Sequence, residues 1–244
     1  VSKRQKFFLG HLIISVVIAI IFIGIIFLCW YPSPLAKAVG VTHIFLMLIS
    51  IDVILGPILG LLVYKEGKKT LKMDLSIIIL VQVFALSYGI YNIAEGRPVW
   101  IVQNGDRFEL VRNNDLVYGD VEKIKPQYQS PSWFKPQYVS MFQGKTIAER
   151  NKNLFEAITT GVSNAMRPEL YIRLSEGKKQ LIEASKRLDT LNQFNDSQNV
   201  KAVLSQNSEA DAWLPLSATA VDMTVLINKE KGEVVKIVDL RPWN

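Results

Sequence analysis

Three apolar runs, each long enough to cross a bilayer, constrain this chain more than any other feature. They extend from Phe7 to Cys29, from His43 to Tyr64 and from Leu75 to Ala94. A spanning helix needs about 20 apolar residues, so each run reads as a transmembrane span. The first begins like a secretion signal, with Lys3, Arg4 and Lys6. Its apolar run, however, far exceeds the roughly 7–15 residues of a signal core. No small-x-small cleavage site follows, because the run ends Leu28-Cys29-Trp30-Tyr31-Pro32. It reads as a retained helix.

Orientation follows from the lysines and arginines beside the spans, which favour the cytoplasmic side. The N-terminus carries three, and the loop from Lys65 to Lys72 carries four lysines. The loop from Trp30 to Thr42 carries only Lys37. This pattern places the N-terminus in the cytoplasm and residues 95–244 on the far side. Residues 1–94 hold 8 Lys/Arg against 3 Asp/Glu, and residues 95–244 hold 20 against 19. All but one unit of the formal charge of +6 therefore lies in the half that holds the spans. A concentrated basic face for nucleic acid is missing, and no nucleic-acid partner is expected.

The second span breaks its own pattern at Asp52, Gly56, Pro57 and Gly60. An aspartate at mid-depth costs roughly 2.5–3.5 kcal/mol on insertion scales. Pro57 weakens the helix ladder. Gly56 and Gly60 form a G-x-x-x-G face that lets another helix approach closely. Asp52 lies 12 residues before Tyr64, and 12 residues after Leu75 comes Ser87, with Tyr88 beside it. Ser87 and Tyr88 are thus the expected hydrogen-bond partners of Asp52, with Gln82 lower down. Two readings stay open. Asp52 locks the three helices together, or the face contacts a transmembrane segment of another protein. An ion path needs a relay of several ionisable groups, and Asp52 is the one deep ionisable residue.

Beyond Ala94 the sequence becomes mixed. Pro98–Gln103 and Arg107–Arg112 read as strands around the turn Asn104-Gly105-Asp106. From Lys125 to Gln143 prolines and aromatics alternate too closely for a helix or a long strand. This reads as a loop packed on its domain or holding a partner, with Trp133 and Phe134 as contact residues. Helices are expected over Thr146–Thr160, Ser175–Phe194 and Gln198–Leu204 from their apolar spacing. Asp222–Asn228 and Glu233–Leu240 read as a second hairpin. The expected architecture is a three-helix transmembrane half, residues 1–94, and an α+β domain of about four antiparallel strands with two or three helices, residues 95–244.

Catalytic chemistry is not apparent. Residues 95–244 contain no His and no Cys, which removes Ser-His and Cys-His pairs and most zinc sites. There is no P-loop and no G-x-G-x-x-G. No catalytic, cofactor-binding or metal-binding residues are assigned, and no enzyme activity is expected.

Several runs together resemble a known family. They are Trp30-Tyr31-Pro32-x-Pro34-Leu35, Asp52-Val53-x-Leu55-Gly56-Pro57 and Gly67-Lys68-Lys69-x-Leu71-Lys72-x-Asp74-Leu75. Tyr88-Gly89-x-Tyr91, Arg97-Pro98-Val99 and Asp106-Arg107-Phe108-Glu109 complete the set. The sequence is similar to type IV pilin accessory proteins of the TfpX/TfpZ group, densely so over residues 7–112. The resemblance implies a bacterial inner-membrane protein with a periplasmic domain. It further implies a chaperone-like role in assembling a cognate type IV pilin, with that pilin and membrane lipid as partners. A homo-oligomer through Gly56/Gly60 is a further expectation. The alternative is a membrane-anchored sensor or regulator with a ligand-binding external domain, although the cytoplasmic segments are too short for an output domain.

Overall fold

Backbone polar groups in an apolar stretch have no water to bond, so such stretches fold as helices that satisfy them internally. The computed structural model, which describes residues 2–144 and 146–243, shows this outcome. Its chain divides into two units, Val1–Ala36 with Gly40–Gly96, and Lys37–Val39 with Arg97–Asn244.

Three helices of the first unit are long and apolar enough to cross a membrane: Lys3–Trp30, Val41–Val63 and Leu71–Glu95. The first comprises α1 (Lys3–Gly24) and a wide π turn at Ile25–Trp30. A short helix α2 (Leu35–Val39) follows. The second span is α3 (Val41–Ser50), a π turn at Ile51–Leu55 and α4 (Gly56–Val63). The third, α5 (Leu71–Glu95), starts four residues earlier than its apolar run. Asp74 in its first turn accepts from Thr70 Oγ1 at 3.0 Å and pairs with Lys68 Nζ at 2.7 Å. An acidic group there complements the positive end of the helix dipole.

The buried centre of this unit is formed by Ala19, Ile26, Phe45 and Ile49. Phe27 packs edge-on against Phe45 with ring centroids 5.6 Å apart. The buried Tyr31 hydroxyl donates to the Ile93 carbonyl at 2.7 Å, tying the first span to the third. Outward faces carry Ile13, Ile20, Leu80 and Phe84, as contact with lipid tails demands.

In the second unit, eight strands form one mixed sheet among the described residues. They are β1 (Pro98–Asn104), β2 (Arg107–Arg112), β3 (Gln137–Met141), β4 (Tyr171–Arg173), β5 (Lys186–Arg187), β6 (Ala212–Ser217), β7 (Met223–Asn228) and β8 (Glu233–Val238). The order is β4-β3-β1-β2-β6-β7-β8, with β5 also on β6. The two expected hairpins are present: β1 pairs antiparallel with β2, and β7 with β8. Gly105, at φ 64°, makes the first turn without the penalty a side chain meets there.

The count of about four antiparallel strands is corrected, because β1–β3 and β2–β6 are parallel pairs that join the hairpins into one sheet. Pro215 lies inside β6, where a missing N–H normally breaks a ladder. It is tolerated because that edge of β6 is shared. β5 pairs at residues 212 and 213 and β2 at 216 and 217, which leaves Pro215 between them. The expected helix over Ser175–Phe194 is also corrected. It divides into a 3₁₀ turn, α7 (Lys178–Ala184), β5 and a second 3₁₀ segment at Leu188–Gln193. The break lets Trp213 donate its indole N–H to the Arg187 carbonyl at 2.9 Å. The other two helices are α6 (Ile147–Thr160) and α8 (Ser197–Ser205), close to their expected bounds.

One core cluster collects Val99, Trp100, Val102, Val139, Tyr128 and Tyr171. Trp100, Tyr128 and Tyr171 pack edge-to-face as a triangle, with centroids 5.4–5.8 Å apart. A second cluster gathers Leu191, Val200, Trp213, Leu226 and Leu240.

Candidate functional site

Pro57 cannot donate to a carbonyl four residues back, and its ring clashes with that carbonyl in a regular helix. The carbonyl belongs to Val53, inside the π turn Ile51–Leu55. Widening that turn makes room for the proline ring. π turns of this kind recur at functional sites. Here the turn holds Asp52, which is only 8% exposed.

Gln82 of α5 supplies the hydrogen bonds. Its Nε2 lies 3.2 Å from the Asp52 carbonyl oxygen and 3.3 Å from Asp52 Oδ1. The approach depends on Gly56, since a Cβ there would fall 1.7 Å from Gln82 Nε2. Gly60 faces α1 instead, where a Cβ would lie 2.9 Å from the Phe7 ring and 3.5 Å from His11 Nδ1. Arg4 Nε donates to the Leu61 carbonyl at 2.7 Å, and Phe7 packs on Tyr64 with centroids 5.6 Å apart. Asp52, Gly56, Pro57 and Gly60 are thus brought together, packed between the first and third spans. The G-x-x-x-G face expected to mediate self-association is filled from within the chain.

Ser87 and Tyr88 do not join them. Both are exposed, Tyr88 at 72%, and Asp52 pairs with Gln82 one helical turn away. The discrepancy comes from the start of α5. Twelve residues after Leu75 is Ser87, but twelve after Leu71 is Val83, beside Gln82. Polar residues at helix starts concealed that first turn.

Between α1 and α5 lies a cavity of about 380 Å³. Its lining includes Phe7, Ile14, Ile79 and Val83, with Lys6, His11, Ser15, Asp52 and Gln82 as polar groups. Ser15 is buried. His11 Nδ1 and Gln82 Oε1 are buried without a hydrogen-bond partner. His11 is not among the residues expected at the site from the sequence. Its position one turn before Ser15, on the face that meets Asp52, was the available signal.

In the second unit the loop expected over Lys125–Gln143 is corrected in part, since it contains β3. Its aromatics also divide by role. Tyr128 enters the core, whereas Trp133 is 61% and Phe134 68% exposed. The Arg97 guanidinium lies 4.2 Å from the Trp133 ring centroid, a cation–π contact. α6 exposes Ile147, Leu154, Phe155 and Ile158, which recur on one side at helical spacing. Its opposite side is held by charge. Arg167 Nη1 is 2.7 Å from Glu156 Oε2, and Arg167 Nε is 2.9 Å from Glu169 Oε1. The hydrogen bond from Arg167 holds the Glu156 carboxyl below its ordinary range. Among the described residues, no group of three or more His, Cys, Asp or Glu gathers that could hold a metal ion.

The profile of the family described as fimbrial assembly protein FimB matches residues 1–40. The serogroup E1 fimbrial assembly protein of Dichelobacter nodosus is 29% identical over 228 residues, covering 90% of this chain and 88% of that protein. The serogroup I protein of the same organism is 28% identical over the same shares. The protein of serogroups C1 and C2 is 33% identical over 113 residues, covering 46% of this chain and 86% of that protein. No solved structure matches the chain. The similarity therefore runs through both units, and the chain belongs to the fimbrial assembly protein family.

Proposed function

We propose that this protein assists assembly of a type IV pilus by holding an unassembled pilin subunit in the manner of a chaperone. The observation that carries the proposal is the cavity between α1 and α5, with the polar groups around Asp52 at its base. A protein that only anchors its outer domain has no need of a costly intramembrane carboxylate. A receptor for another membrane helix does. Relatives named as fimbrial assembly proteins support the pilus context.

In this reading the chain crosses the bacterial inner membrane three times, with its N-terminus cytoplasmic and its second unit periplasmic. The spans receive the pilin's apolar helix, with Asp52, Gly56, Pro57 and Gly60 shaping the receiving face from within the bundle. Ser87 and Tyr88 lie on the outward surface of α5, where they add a second contact. Trp133 and Phe134, and beside them in function the apolar side of α6, meet the pilin's folded head. The role requires no catalytic step and no cofactor.

The test is isolation of the tagged protein from membranes of its own host, followed by immunoblotting for pilin. Unassembled pilin is expected to come with it. Absence of pilin from the isolate, together with normal pili in a strain lacking the protein, overturns the proposal.

A further inference from the structure

We propose that the cavity between α1 and α5 seats an apolar membrane helix that brings its own hydrogen-bond donor to Asp52, Gln82 and His11. This inference rests on the pilin-holding reading and adds the chemistry of recognition to it.

The argument is an account of donors and acceptors. Gln82 uses its amide nitrogen on Asp52, at 3.2 and 3.3 Å. Its Oε1, an obligate acceptor, is left buried and unpartnered. His11 Nδ1, 3.5 Å from the point where a Gly60 Cβ would stand, is likewise buried and unpartnered. The Asp52 carboxyl oxygens have capacity for further donors, since Gln82 reaches only one of them. Two acceptor-bearing groups, Asp52 and Gln82, and the unpartnered imidazole of His11 therefore converge on one cavity, which Lys6 and Ser15 also line. Buried polar atoms are satisfied in the great majority of proteins, so a surplus of this kind calls for an explanation.

The walls limit what can supply the donor. Phe7, Ile14, Ile18, Ile79, Val83 and Leu86 are apolar, Lys6 adds a cationic side chain to the lining, and Ile14, Ile79 and Val83 are exposed at the rim. The opening therefore faces the surroundings of the bundle. His11 is eight residues into α1, about 12 Å along the helix axis. A lipid tail can fill such walls but carries no donor at that depth. An apolar helix with an amine or hydroxyl at the level of His11 satisfies both the walls and the base. A positive amine also complements the Asp52 charge. The second cavity, about 270 Å³ between the second and third spans, is lined by Leu48, Ile51, Leu55 and Leu59 on its outer side. It offers apolar contact only, apart from the same Asp52–Gln82 pair.

The experiment uses the full-length protein in host membranes with the pilin present. Photoreactive benzoylphenylalanine is placed singly at the rim positions Ile14 and Val83, and at Ile44 and Leu62 as controls away from the cavity. Crosslinks to pilin at Ile14 and Val83 at least fivefold above the controls are expected. Adding Asp52→Leu should reduce the Val83 crosslink at least fivefold, whereas Asp52→Asn, which retains an acceptor oxygen, should keep most of it. Ile14→Trp blocks the rim without touching the polar base, and should lower pilin recovery while the protein's membrane level stays unchanged. Lipid-only adducts at the rim, or pilin crosslinks indifferent to Asp52→Leu, overturn the inference. Pilin that co-isolates yet crosslinks only through the second unit overturns it while leaving the holding role intact. Failure to recover pilin at all removes both.

Discussion

Gln82 donates to Asp52 twice, once to its backbone carbonyl and once to its carboxylate. The side chain therefore satisfies a backbone carbonyl of the π turn and the carboxyl group beside it at the same time. Replacing Gln82 by Leu should lower stability by about 0.6–1.7 kcal/mol, the range of interhelical hydrogen bonds in membranes. The double change Asp52→Leu/Gln82→Leu should recover part of that loss, because no buried polar group is then left unpaired. Thermal unfolding of the detergent-solubilised protein, run as a double-mutant cycle, measures both quantities. A cycle with no coupling contradicts the pairing.

Gly56→Ala should act on the same pair by a different route. Alanine gains roughly 1 kcal/mol of helix propensity over glycine, yet its Cβ would occupy the place of Gln82 Nε2. The flexible end of Gln82 can move aside, but only by giving up Asp52. Gly56→Ala should therefore lower pilin recovery by breaking the bond that Gln82→Leu also removes, with little loss of thermal stability. Gly60→Ala meets the edge of the Phe7 ring at 2.9 Å and should have the smaller effect. Pilin recovery beside melting temperature separates these outcomes.

The second unit offers a contrast between core and surface aromatics. Tyr128→Ala and Trp100→Ala both break the edge-to-face triangle, and each should cost about 3–5 kcal/mol. Phe134→Ala removes an exposed ring and should change stability by about 0.5 kcal/mol or less, whereas Trp133→Ala also gives up the contact with Arg97 and should cost about 0.5–1 kcal/mol. If Trp133 and Phe134 touch the pilin head, pilin recovery falls with them nonetheless. Urea unfolding followed by tryptophan fluorescence, with the pilin blot alongside, tests both halves.

Acid should release α6. Glu156 has a folded-state pKa below its ordinary 4.5 because Arg167 donates to it. Its contribution is fully present above that ordinary value and is lost as pH falls through the lower folded value. Amide exchange across Ile147–Thr160 should therefore quicken below about pH 4.5 relative to β1, after correction for intrinsic rates. Glu156→Gln should show the quickened exchange at neutral pH and no further change on acidification.

How much of this was legible in the chain depended on period and length. Apolar runs of about 20 residues announce themselves, and so did the two hairpins, whose turns carry Gly105 and Gly232. β3 and β6 were obscured by proline: Pro136 directly precedes Gln137, and Pro215 sits within β6 where sharing of the strand edge tolerates it. The helix expected over Ser175–Phe194 fitted an apolar period but could not disclose that Trp213 needs Arg187 in a strand. In the membrane, the anomaly at Asp52 was visible while its partner was not. Depth counting depends on where a helix begins, and the polar turn Leu71–Asp74 shifted that origin by one turn.

The Asp52–Gln82 bond also orders events during synthesis. α3 and α4 leave the ribosome before α5 exists, so a second span inserted alone takes its carboxylate into lipid with Gln82 still unmade. That state carries most of the roughly 2.5–3.5 kcal/mol insertion penalty of a central aspartate. Entry of the second and third spans as one hairpin, joined by the short loop from Tyr64 to Thr70, avoids it. In the membrane arrangement proposed above, biogenesis of this bundle is coupled across two spans, and a ribosome pausing before codon 82 would leave the nascent second span poorly committed to the bilayer.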